Sequence, residues 1–148
     1  MPTWEKVVVI GYGNTLRRDD GAGQKVAEAV AARGWENVLS LAVHQLTPEL
    51  AAEIATADKA IFADASPDAK TVEVREIADN FRENLPFSPH TSDPKGLLSL
   101  TKLLYDKNPK AWWVLIPALD FEFGEELSPV TVTGIIDAVA KIEQLIIA

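Results

Sequence analysis

The sequence predicts an α/β fold, a three-layer α/β/α sandwich around a mixed five-stranded sheet whose fourth strand runs antiparallel to the others. Three observations carry this expectation. Short runs of β-forming residues alternate with longer segments whose apolar residues recur every three or four positions. The first three strands are joined through helical segments, as parallel neighbours require. The linker SPDAK ahead of the fourth strand is too short for a crossover helix, which leaves the antiparallel direction.

Val7 to Ile10 reads as a strand buried on both faces, ended by the turn residues Gly11-Tyr12-Gly13-Asn14. Ala22, Val26, Ala29 and Val30 then recur at helical spacing up to Arg33-Gly34, where the glycine supplies a stop. Asp19 and Asp20 fall just before or within the first turn of this helix, where free backbone N–H groups and the helix dipole favour carboxylates. Val38 to Val43 forms the second strand and closes a right-handed βαβ unit. Thr47-Pro48-Glu49 reads as N-cap, N1 proline and first-turn acid, with Leu50 and Ile54 facing inward.

Lys59 to Asp64 is the third strand, and its last residue is again an aspartate at a C-terminal end. Ligands of open α/β sheets sit along that edge. Thr71 to Glu76 alternates apolar and charged residues, as a strand with one wet face does. A long segment with Pro86, Pro89 and His90 leads to Ser92-Asp93-Pro94, which opens a helix carrying Leu97, Leu98, Leu100 and Leu104 and ended by Asn108-Pro109. Trp112 to Ile116 is the fifth strand. Ser128-Pro129 opens the last helix, with Val132, Ile135, Ile136, Val139, Ile142 and Ile146 as its apolar stripe.

The 148 residues are 47% hydrophobic and contain no Pro/Gly/Ser-rich linker, which predicts one domain spanning 1–148. No apolar run is long enough to span a membrane. The chain enters its first strand almost at once, without the marks of a signal peptide, which predicts a cytoplasmic protein. The absence of cysteine excludes disulfides, thiolate zinc sites and cysteine-protease chemistry. A net charge of −8 argues against nucleic-acid binding and suits cations or basic peptides.

The strand-glycine-helix opening invites comparison with nucleotide-binding motifs, and its chemistry excludes them. The third glycine of a dinucleotide fingerprint is Leu16 here, and the Gly-Lys-Ser/Thr ending of a phosphate-binding loop is missing. Two adjacent carboxylates would repel a pyrophosphate, so a metal ion is the better partner. Asp20, Asp64 and His90 fall on one side of the predicted sheet. Two carboxylates and an imidazole suit nickel, zinc, manganese or iron and leave coordination positions open. Each residue also has a plain structural alternative: a helix cap for Asp19 and Asp20, a turn start for Asp64, an ordinary loop histidine for His90. His44 and His90 have no marked nucleophile nearby in sequence, so no Ser/His/Asp triad can be assembled.

Three segments, GYGNTLRRDDGAG at 11–23, FADAS at 62–66 and SPHTSD at 88–93, resemble in order and spacing the maturation endopeptidases of [NiFe] hydrogenases. The resemblance runs over nearly the whole chain. It implies a phosphorylase/hydrolase-like mixed sheet with strand four antiparallel, and metal contacts by Asp20, Asp64 and His90. It also implies an activity: removal of a C-terminal extension from the nickel-loaded precursor of the hydrogenase large subunit, in a family grouped with aspartyl-type endopeptidases. Where many relatives carry a glycine-bearing motif beginning with Asp after strand two, this chain has His44-Gln45-Leu46. That stretch is similar to the subgroup serving bidirectional NAD(P)-linked hydrogenases and marks these three residues as candidates for substrate choice. The alternative makes Leu46 a staple ahead of Thr47 and His44 a surface residue.

The expected mechanism is metal-assisted hydrolysis in which Asp20, Asp64 and His90 engage nickel supplied by the substrate, without an organic cofactor. Asp19 is a further candidate as a base, a supporting partner or only a cap. A monomer is expected, with no nucleic acid and no membrane as partner. Two other classes compete: a phosphoacceptor receiver-like domain with Asp64 as acceptor, and a non-catalytic nickel-binding accessory protein. The absence of a lysine near Pro117-Ala118-Leu119 counts against the receiver.

Overall fold

The computed structural model describes residues 5–78 and 93–148. Five strands form one sheet: β1 (Val7–Tyr12), β2 (Val38–Val43), β3 (Lys59–Ser66), β4 (Glu73–Ile77) and β5 (Lys110–Pro117). Their order is β2-β1-β3-β5-β4; β1, β2, β3 and β5 are parallel, and β4 pairs antiparallel with β5. This is the predicted mixed sheet. It differs from the 2-1-3-4-5 order of receiver-type folds, because β5 inserts between β3 and β4.

The helices are α1 (Ala22–Arg33), α2 (Leu50–Ala55), α3 (Pro94–Tyr105) and α4 (Pro129–Ile147). Strand alternation sorts the core into two layers. Val7, Val9, Ile61, Ala63, Val114 and Ile116 pack against α1 and α4, while Val8, Ile10, Phe62 and Ala111 pack against α2 and α3. The inner strands β1 and β3 therefore carry apolar residues on both faces. Gly34 ends α1 in the left-handed conformation, φ +63, as predicted.

Several details differ from the sequence reading: β4 and β5 shift by one or two residues at their ends, and four further differences have a physical cause. β1 runs on to Tyr12 because Gly11 and Tyr12 still pair with Ala42 and Val43 of β2. β3 runs two residues past Asp64, because Ala65 and Ser66 pair with Ile116 and Pro117. Thr47 is not a side-chain cap: Thr47 O and Pro48 O accept from Leu50 N and Ala51 N in tight turns, and α2 begins only at Leu50. In α4 the buried face is Thr131, Gly134, Ala138, Val139, Ile142 and Ile146, whereas Val132 and Ile136 are exposed. Gly134 rotates the helix, because a Cβ there would lie 2.9 Å from Ile116 and 3.1 Å from Pro117 of β5. Among the described residues no helix is long and apolar enough to cross a membrane.

Candidate functional site

The site is built by close backbone packing at the C-terminal end of β1. A Cβ on Gly11 would fall 1.9 Å from the carbonyl oxygen of Gly23, and one on Gly23 would fall 2.4 Å from those of Tyr12 and Ala63. Strand and helix thus meet backbone to backbone. This is the packing role of the third glycine in a dinucleotide fingerprint, filled here by Gly23 rather than at Leu16. Gly13, at φ +143, turns the chain so closely that a Cβ would sit 2.0 Å from Asp20 O.

Asp19 and Asp20 lie in a short 3-10 turn, Arg18–Gly21, and their roles divide sharply. Asp19 is fully buried. Its Oδ2 accepts from Leu119 N at 2.9 Å and Asp120 N at 3.0 Å, and its Oδ1 accepts from Ser128 N at 2.7 Å. Burial alone would raise this carboxyl's pKa, but the hydrogen bonds from Ser128, Leu119 and Asp120 hold it below the usual value. Asp19 is therefore a clamp on the β5–α4 loop rather than a helix cap. Ser128 reaches it through its own N–H, not as a side-chain cap of α4.

Asp20 is half-buried, and its Oδ2 accepts from Asn14 N at 2.8 Å. Asp64 lies across from β1, on the layer facing α2 and α3. Tyr12 points to the same face, and its hydroxyl donates to Asp64 Oδ2 at 3.1 Å. Asp64 titrates at about 6: burial raises it most, and the Asp20 charge raises it further against the hydrogen bonds from Tyr12 and Ala65. Burial, then the charge of Asp64, pushes the Tyr12 phenol far above its ordinary range, so it stays a donor. A carboxylate whose ionisation is opposed by burial and by a neighbouring negative charge sits where positive charge is favoured.

Asp20 and Asp64 are thus brought to one mouth of the sheet, while His90 lies outside the described residues. Among the described residues no group of three or more His, Cys, Asp or Glu side chains could hold a metal ion, so the pair needs a further donor to do so. The oxygen donors present suit a hard or borderline divalent cation. His44 and Gln45 are exposed in the turn after β2, and Leu46 is buried beneath them. Gly13 N donates to both Val43 O, at 3.3 Å, and His44 O, at 3.2 Å, so this turn is tied to the loop that holds Asp20. Tyr12 is the residue at this site that the sequence reading missed. Its signal was parity: two residues beyond Ile10 in a continuing strand, it shares the Val8 and Ile10 face.

Solved structures share this architecture over nearly all of the chain. The [NiFe] hydrogenase maturation protease HybD from Thermococcus kodakarensis superposes with a TM-score of 0.74 at 24% identity, covering 95% of this chain and 98% of that one. The fold is that of the hydrogenase maturation proteases. The maturating endopeptidase HybD from E. coli gives 0.72 at 22% identity, over 93% of this chain and 89% of that one. The maturation protease HycI from Thermococcus kodakarensis KOD1 gives 0.68 at 23% identity, over 96% and 90%. No protein-family model matches the chain, and none of the curated proteins does.

Proposed function

We propose that this chain is an endopeptidase that removes a C-terminal extension from the nickel-loaded precursor of a [NiFe] hydrogenase large subunit. The observation that carries the reading is the Asp20–Asp64 pair at the C-terminal mouth of the sheet, in a fold shared with maturation proteases. Asp20 and Asp64 supply oxygen donors to the precursor's nickel, and His90 supplies the nitrogen. Tyr12 occupies one oxygen of Asp64 and fixes the plane of its carboxylate. The metal, when bound, polarises the scissile carbonyl or a water. Cleavage is then conditional on metal loading, because the substrate's own ion completes the contact.

His44 and Gln45, exposed beside the site on the buried anchor Leu46, select the precursor; the subgroup is the one serving bidirectional NAD(P)-linked hydrogenases. The same reading makes the protein a cytoplasmic monomer without an organic cofactor. The test is purified protein incubated with nickel-loaded and nickel-free precursor. Shortening of the loaded form alone is expected. Equal cleavage of both rejects recognition through the metal, and stoichiometric nickel binding without cleavage replaces the peptidase with a carrier.

A further inference from the structure

The β5–α4 loop and the segment leading to Asp20 are bound into one edge. Arg18 N donates to Gly124 O at 2.8 Å, Gly124 N to Leu16 O at 2.8 Å and Asp19 N to Asp120 O at 2.9 Å, in addition to the three bonds at the Asp19 carboxylate. On this frame three apolar side chains stand in solvent: Leu16, Leu119 and Phe123, the last 84% exposed. A loop held this firmly cannot fold those side chains inward.

The charge around them is uneven. Arg18 is paired with Asp120 at 3.4 Å, and Arg17 Nε donates to Phe121 O at 3.3 Å. Glu122, Glu125 and Glu126 are exposed around Phe123 and form no ion pair among the described residues. Four carboxylates thus stand against two guanidiniums.

We infer that Leu16, Leu119 and Phe123 dock the precursor polypeptide through a segment bearing an apolar side chain flanked by lysine or arginine. This rests on the endopeptidase reading above. Two features select that occupant. The acidic rim complements a basic segment and repels a second copy of this acidic chain. The edge is also continuous with the candidate site: the buried carboxylate that binds Leu119 N and Asp120 N belongs to Asp19, the neighbour of Asp20. A polypeptide held here is presented to the carboxylate pair.

The test is steady-state cleavage of nickel-loaded precursor by the full chain, by Phe123→Ser and by the triple variant E122Q/E125Q/E126Q, with Asp20→Asn as a control. All the docking substitutions are at exposed positions, and thermal melts establish that the variants fold. Each docking variant is expected to raise KM about tenfold with kcat retained. Added salt should raise the KM of the unaltered protein more steeply than that of the triple variant. Unchanged KM in both variants, while the unaltered protein cleaves and Asp20→Asn does not, overturns the docking face and leaves the peptidase standing. A KM raised by Phe123→Ser alone, with no salt dependence, overturns the basic partner. Failure of the unaltered protein to cleave overturns both readings.

Discussion

Tyr12 and Asp64 stand side by side on adjacent parallel strands, and the phenol donates a 3.1 Å hydrogen bond to the carboxylate. The pair joins a donor that cannot ionise in the working range to an acid that titrates at about 6. A folded pKa raised above the ordinary 3.8 means that the native state holds the proton longer than the unfolded chain. Stability contributed by this group is complete below pH 4, falls between pH 4 and 6, and stays low above. Asp64→Asn should therefore stabilise the protein at pH 7, by up to about 3 kcal/mol, while abolishing cleavage. Urea melts at pH 4 and pH 7 check the sign: the gain should be confined to the higher pH.

Tyr12→Phe keeps the ring in the core and removes the donor. The lost hydrogen bond favoured ionised Asp64, so its titration should move upward from about 6. Cleavage, which needs the ionised carboxylate, should fall most between pH 6 and 7 and recover towards pH 8. A pH–rate profile read beside a carboxyl NMR titration decides this, and a uniform loss at every pH would contradict it.

Asp19→Ala leaves three backbone donors, on Leu119, Asp120 and Ser128, without their acceptor. The expected destabilisation is about 3 kcal/mol, by thermal or urea unfolding. The folded pKa of Asp19 is depressed, so its contribution is full above the ordinary value of 3.8 and is lost as pH falls through the lowered one. The difference between the unaltered protein and Asp19→Ala should accordingly shrink only below pH 4.

Gly23→Ala places a methyl group 2.4 Å from two carbonyl oxygens, on Tyr12 and Ala63, that belong to the two central strands. Backbone cannot yield as a side-chain tip does. Destabilisation of about 2 kcal/mol or more is expected, with loss of cleavage because α1 and the Asp20 turn are pushed off the sheet. Gly34→Ala is the comparison: no atom lies within 4 Å, and only the left-handed φ of +63 is strained, so the cost should be about 1 kcal/mol.

Most of the fold was legible because its determinants are local. The apolar runs of β1 and β3, the Arg33-Gly34 stop and the short SPDAK linker each act within a few residues, and strand direction followed from the linker. The stripe of α4 was misread because Val132 and Ile136 are as apolar as the residues that do face inward. What sets the buried face is Gly134 meeting Ile116, a close approach that the apolar pattern of α4 does not record and that only its lone glycine hints at. Tyr12 was missed for a related reason: Gly11 looked like the end of a strand, and only pairing with Val43 shows that the strand goes on.

The sequence by itself determined the layered α/β architecture, the direction of the fourth strand and which carboxylates follow β1 or fall near the C-terminal end of β3, because periodicity and linker length are properties of neighbours along the chain. Only the tertiary structure decided what Asp19, left open between base, supporting partner and cap, does: it is sealed into a loop clamp, while Asp20 faces the Asp64 side. That choice depends on Leu119, Asp120 and Ser128, about a hundred residues away in the chain, whose N–H groups converge on Asp19.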